Sequence, residues 1–179
     1  MPTRSMATSF KELSSRTWKD FETLMGPKGG CGGCWCMSWR VPRSGKYWES
    51  VKGETNKKTM KRLVDEGKAH GIIAYDGGSP VGWCSMGPRD HFLRLKKTKA
   101  YVRADEKSVW SIPCFYIRKD WRGHGLSTQL LQQAVVAAGK RGASLVEGCP
   151  VTKTKEGKIL PPASQGNTTE VKLVLSVNE

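Results

Sequence analysis

The chain has 179 residues, with 30 Lys and Arg against 16 Asp and Glu, and a net charge of +14. That length suits one domain with a proper core. The sequence contains no run of eighteen apolar residues and no basic leader followed by an apolar stretch, so neither a membrane span nor secretion is expected, and a cytoplasmic protein with reduced thiols is. The positive field attracts anions in general: phosphorylated cofactors, acidic substrates or nucleic acid. Much of it is dispersed over Lys57, Lys58, Lys61, Arg62, Lys96, Lys97, Lys153 and Lys155, which reads as solvated surface.

Ser15 is a plausible N-cap for a short helix over Arg16–Leu24, with Trp18, Phe21 and Leu24 at spacings of three. Gly26-Pro27-Lys28-Gly29-Gly30 ends it. Cys34–Val41 reads as a strand or buried extended segment. Thr55–Glu66 is a helix with Met60, Leu63 and Val64 inward and lysines outward. His70–Tyr75 and Pro80–Met86 flank Asp76-Gly77-Gly78-Ser79, a hairpin signal. Arg89–Lys97 is a short helix with Phe92 and Leu95 inward.

The most informative stretch follows, Val109 to Ala143. Val109–Ile117 is rich in β-branched and aromatic residues and carries no charge before Arg118, as a buried strand does. A turn, Arg122-Gly123-His124-Gly125, leads into a helix with Leu126, Leu130, Leu131, Ala134, Val135 and Ala138 along one face. A helix N-terminus offers backbone N–H groups with no intrahelical partners, and the positive end of the helix dipole. Two glycines before it let a bulky anion approach the backbone, and Arg118, Lys119, Arg122 and His124 surround the place with positive charge. The combination points to a diphosphate. Nucleotide fingerprints do not fit: there is no P-loop, and Thr128 stands where a dinucleotide fold needs its third glycine. Ser144–Val151 is the next strand.

The segment resembles motif A of the GNAT superfamily of acyl-CoA-dependent N-acyltransferases. Its core, Arg/Gln-x-x-Gly-x-Gly/Ala, corresponds here to Arg122-Gly123-His124-Gly125-Leu126-Ser127, with Ser127 where Gly or Ala is usual. The order helix, helix, hairpin, strand, helix, strand is also that of the family. The resemblance implies an α+β fold, a mixed central sheet flanked by helices, in a single domain over 1–179 with its core at 53–151. Residues 152–179 depart from the family: only Val171–Val177 reads as a strand, so this end is shortened or diverged. The tyrosine that often protonates the departing thiolate is absent, for no tyrosine follows Tyr116.

What the resemblance implies about function is acetyl-CoA as cosubstrate, an amine-bearing acceptor and direct transfer between them, in a monomer or homodimer. The pantetheine arm would pair with the strand end at Phe115, Tyr116 and Ile117. The diphosphate would sit on the main chain of Gly123, His124, Gly125, Leu126, Ser127 and Thr128, with Arg122 adding charge. A thioester is already activated, so positioning and removal of the amine proton suffice. Glu147, the acid within the uncharged Leu145–Val151, matches the strand on which several family members carry a catalytic glutamate. Its other reading is a strand-end carboxylate paired with a cation or holding the substrate amine.

Six cysteines occur, three of them in Cys31-Gly32-Gly33-Cys34-Trp35-Cys36, with Cys84, Cys114 and Cys149 elsewhere. This glycine-cysteine-tryptophan segment is similar to that of a subgroup of bacterial GNAT proteins. Cys31 and Cys34 have the spacing of a metal or redox pair, but no second Cys-x-x-Cys or His pair completes a zinc site. The cluster is therefore expected to be structural and metal-free, thiols packed beside tryptophans, with a metal site or a redox or acyl-accepting thiol as the other accounts. Cys114 and Cys149 would flank the cleft on neighbouring strands. Seven tryptophans among many lysines suit base stacking, but no nucleic-acid module signature occurs. A basic nucleic-acid-binding domain and a thiol-based metal or redox protein are the competing classes.

Overall fold

The structure, a computed structural model, describes residues 9–42, 44–96, 108–148 and 173–176, the last four by backbone alone. Six strands form one sheet in chain order: β1 (Ser9–Glu12), β2 (His70–Asp76), β3 (Ser79–Pro88), β4 (Val109–Ile117), β5 (Leu145–Gly148) and β6 (Leu173–Ser176). All neighbours are antiparallel except β4 and β5, which run parallel. The helices are α1 (Trp18–Met25), α2 (Gly45–Val51), α3 (Glu54–Asp65), α4 (Leu93–Lys96) and α5 (Leu126–Lys140), with 3-10 turns at Arg89–His91 and Lys119–Trp121. The expected mixed α+β sheet is present.

Two cores lie on opposite faces of the sheet. On one, α5 sets Leu126, Leu130, Ala134 and Ala138 against Ile72, Ala74, Cys84, Met86, Trp110 and Val146. Gly82 makes this approach close, since a Cβ there would stand 2.9 Å from Leu126 Cδ2. On the other, α1, α3 and the segment between α1 and α2 bring Phe21, Met25, Trp35, Cys36 and Met60 over Ile73, Tyr75 and Trp83. Phe21 meets Trp83 edge-on at 4.8 Å.

The expected helix over Arg16–Leu24 begins later, at Trp18. Ser15 is no cap: its hydroxyl donates to Asp65 at 2.9 Å, and Thr17 is the N-cap residue. Trp18, Phe21 and Leu24 are all buried, as their spacing predicts. Cys34–Val41 is not a strand. Trp35 and Cys36 hold φ of 47° and 60°, and consecutive turns such as Met37 N–H to Cys34 O (2.8 Å) replace a ladder. Burial there comes from packing on Phe21 and Trp83 rather than from pairing, and alternation cannot tell the two apart. The 89–97 helix is a 3-10 turn followed by α4, with Phe92 and Leu95 buried as expected. β5 is described only to Gly148, so the rest of Ser144–Val151, Cys149 included, lies outside the described residues, as does most of 152–179.

Candidate active site

β4 carries the site, and one proline shapes it. The β3–β4 register runs Ser85↔Cys114 but Gly87↔Ser111, so Ile112 and Pro113 together face Met86. This is a one-residue bulge, and a proline suits it because no ladder N–H is lost. Parallel pairing with β5 reaches Ile112↔Gly148, the last described residue of β5. Beyond the bulge β4 stays paired to β3. Arg118 N–H donates to Val81 O at 3.0 Å. By alternation Cys114 and Tyr116 also turn their amides to β3, while Phe115 and Ile117 turn theirs to the opposite edge. Phe115 is 40% exposed there.

The glycine turn closes the same edge. Gly125 is the N-cap of α5 in the left-handed region, φ 75°, and Gly123 has φ 78°; a Cβ on either would meet nothing within 4 Å. Only glycine takes these angles freely and leaves the space above them clear. Leu126 and Ser127, in the first turn, have amides outside the helical ladder, whereas Thr128 N–H is held by Gly125 O at 3.1 Å. Arg122, Gly123, His124, Ser127 and Thr128 are exposed. The ring of positive charge is thinner than the sequence suggests, because Arg118 pairs with Asp120 through two 2.7 Å bonds. Arg122 donates from Nε to Ile117 O at 3.0 Å, tying the strand end to the turn.

Glu147 lies opposite Ser111 across the β4–β5 pair, one residue before the β4 bulge begins. It is 1% exposed; Ser111 Oγ donates to Oε1 at 2.6 Å and Arg89 Nε stands 3.4 Å from the same oxygen. Because Val146, Trp110 and Ile112 point to the α5 core, Glu147 and Ser111 point to the other face. The bulge keeps Cys114 and Tyr116 on that face too, against Trp83. Sequence reasoning found Glu147 but neither Arg89 nor Ser111, which reach it only through strand register and the turn after β3. Pro113, a proline inside an uncharged strand, was the legible sign of the bulge.

The cysteines of the 31–36 segment separate. Cys31 is exposed, Cys34 half-buried and Cys36 buried, with Trp83 Nε1 donating to its sulfur at 3.2 Å. No group of three or more metal-ligating side chains occurs among the described residues. No described helix is long and apolar enough to cross a membrane.

Comparison with known proteins agrees with this arrangement. Curated protein sequences give no significant match. The sheet does match solved structures. One is the aminoglycoside N-acetyltransferase AAC(6')-Iy in complex with CoA, at 13% identity over 87% of this chain and 82% of that one, TM-score 0.53. Another is an aminoglycoside acetyltransferase from an uncultured soil metagenomic sample, at 19% identity over 83% and 82%, TM-score 0.50. At these identities the likeness shows the fold. The profile of the acetyltransferase (GNAT) family matches residues 36–156, well over half of the chain. The chain belongs to the GNAT family and is, by that membership, an acetyltransferase.

Proposed function

We propose that the protein binds acetyl-CoA across Phe115, Tyr116 and Ile117 and across Gly123–Thr128, and moves its acetyl group to an amine. The observation that carries this is an open, glycine-flanked helix N-terminus directly after a strand that bulges at Ile112–Pro113 and exposes Phe115. An extended pantetheine arm fits the first feature, since its amides can pair with a strand edge. A diphosphate fits the second. The CoA named with AAC(6')-Iy supports the choice of cofactor.

Acetyl-CoA should raise the melting temperature of the wild type, and Gly125→Asp should abolish that shift by bulk and like charge. Gly125→Asn, equally strained but neutral, should keep part of it. An undiminished shift in the Asp variant would remove the diphosphate from Gly125. Glu147 takes the proton of the attacking amine. Its burial with Arg89 and Ser111 fixes the carboxylate beside the bulge in β4. Once an accepted amine is found in a panel, Glu147→Gln should lower turnover by about 10²–10⁴ at neutral pH. That loss should shrink as pH approaches the amine's own pKa, and a flat, wild-type profile would refute the role.

A further inference from the structure

Cys31 and Cys34 form a unit that acetyl transfer does not use. The Cys34 N–H donates to Cys31 O at 3.0 Å, closing a turn with Gly32 and Gly33 at its centre. Their φ values are 55° and 76°, positive at both central positions as in a type I′ turn. Such a turn holds the Cα atoms of its end residues less than about 7 Å apart, and disulfides bridge Cα separations of about 4.4–6.8 Å. Both thiols are free. The fold thus already sets the two positions within reach of a disulfide.

The turn is also clamped. Cys31 N–H donates to Gly29 O at 3.1 Å, Gly33 N–H to Lys28 O at 2.9 Å and Trp35 N–H to Gly29 O at 3.0 Å. From α3 and the residue before it, Gly33 O accepts from Gly53 N–H at 2.9 Å and from Asn56 Nδ2 at 3.1 Å. The approach is close, for a Cβ on Gly33 would stand 2.5 Å from the Gly53 nitrogen. A second thiol on so fixed a backbone closes a disulfide by an intramolecular step, with the high effective concentration that positioning gives. Access differs between the two cysteines. Cys31 is exposed, and the space above Gly32 is clear, since a Cβ there would meet nothing within 4 Å. Cys34 is half-buried, and burial pushes its thiol up. An incoming reagent therefore meets Cys31 first.

We propose that Cys31 and Cys34 form a reversible dithiol–disulfide site that exchanges with small disulfides. In the first step the Cys31 thiolate attacks one sulfur of a disulfide R–S–S–R. That S–S bond breaks, a mixed disulfide forms on Cys31, and the departing thiolate takes up the proton that Cys31 gave. In the second step the Cys34 thiolate attacks the Cys31 sulfur. The mixed S–S bond breaks, and the second small thiolate leaves with the proton of Cys34. The sum is two cysteine thiols and one small disulfide to one protein disulfide and two small thiols. The protein gives up two electrons and the small disulfide receives them. An excess of small thiol runs both steps backwards. Gly30, next to Cys31, packs on β4, where a Cβ would stand 3.5 Å from the Tyr116 ring, so the bridge forms at the border of the acetyl-CoA site proposed above. The exchange itself does not depend on that site.

The test treats the reduced full chain with oxidised glutathione, traps free thiols with N-ethylmaleimide under denaturing conditions and maps peptides without reductant. The expected product is an intramolecular Cys31–Cys34 disulfide, lighter than the dithiol by two hydrogens and reversed by dithiothreitol. In a buffer of equal reduced and oxidised glutathione that disulfide should be the major form. Cys34→Ser should stop at a stable glutathione adduct on Cys31, and Cys31→Ser should give neither bridge nor rapid adduct. Gly32→Val places a β-branched residue at a φ it avoids and should slow closure about tenfold or more. Closure at the wild-type rate in that variant would show that the turn does not set the geometry. A wild-type chain that keeps glutathione on Cys31 without closing, that bridges Cys34 to Cys36 instead, or that leaves both thiols free in the mixed buffer overturns the proposal.

Discussion

The two faces of the sheet are built from different materials. The α5 face is packed with aliphatic side chains and alanines around Met86, Trp110 and Trp121. Among the described residues the opposite face holds the buried polar or charged ones, Asn56, Ser85, Ser111 and Glu147, together with Cys36 and stacked aromatics such as Trp18 and Trp35. Buried polar groups weaken a fold unless each is satisfied. Asn56 Nδ2 donates to Gly33 O at 3.1 Å and Ser111 donates to Glu147, whereas Ser85 Oγ has no hydrogen-bond partner among the described residues. The α5 face needs no such arrangement, because methyl groups have nothing to satisfy. One face is therefore plain scaffold, and the other holds the carboxylate proposed for the chemistry, beside the bulge in β4.

Trp83→Ala tests the chemical face most severely. It removes a fully buried ring and the N–H on Cys36 at once. The expected loss is about 3–5 kcal/mol in denaturant unfolding, and in what stays folded Cys36 should become less nucleophilic, read as slower alkylation by iodoacetamide at pH 7. Unchanged alkylation would mean that the indole does not support the thiolate. Leu130→Ala on the scaffold face should cost about 2–5 kcal/mol and leave Cys36 reactivity as it was, since Leu130 packs only into the α5 core. A change in thiol reactivity there would show that the faces are coupled.

The smallest effect concerns His70, at the foot of the scaffold face, with its ring 5.2 Å from Trp110 and 6.4 Å from His91. Burial, then the charges of Arg141, His91 and Arg40, hold it down to about 4. Its folded-state value is below the unfolded one, so the unfolded chain binds the proton more readily. Stability should therefore fall as pH drops from about 6.5 toward about 4. His70→Gln should flatten that part of the melting-temperature profile by a few degrees, and an unaltered slope would assign the acid sensitivity to other groups.

Local pattern was enough for the motif strand, the hairpin, α3 and α5, whose boundaries fall within a residue or two of the expectation. Each is announced by periodicity or by turn glycines acting over a few positions. The glycine turn before α5 was legible for the same reason, because its chemistry is that of the local backbone. Residues 31–41 were not. Their apolar and thiol side chains suit a strand, and only contact with Phe21, Trp83 and Cys114 holds the segment in turns with Trp35 and Cys36 at positive φ. The short β1 and α2 were missed as well, β1 being an edge strand fixed by pairing with β2 and α2 having no buried residue to create a period.

By itself the sequence determined the family, the glycine helix start and the candidate carboxylate, since each depends on residue type within one stretch of chain. Tertiary structure decided which groups act together. Arg89 and Ser111 reach Glu147, and Trp83 reaches Cys36, only after the strands have taken their register. An acidity depends on the charges and hydrogen bonds within a few ångströms, and no spacing along the chain encodes those.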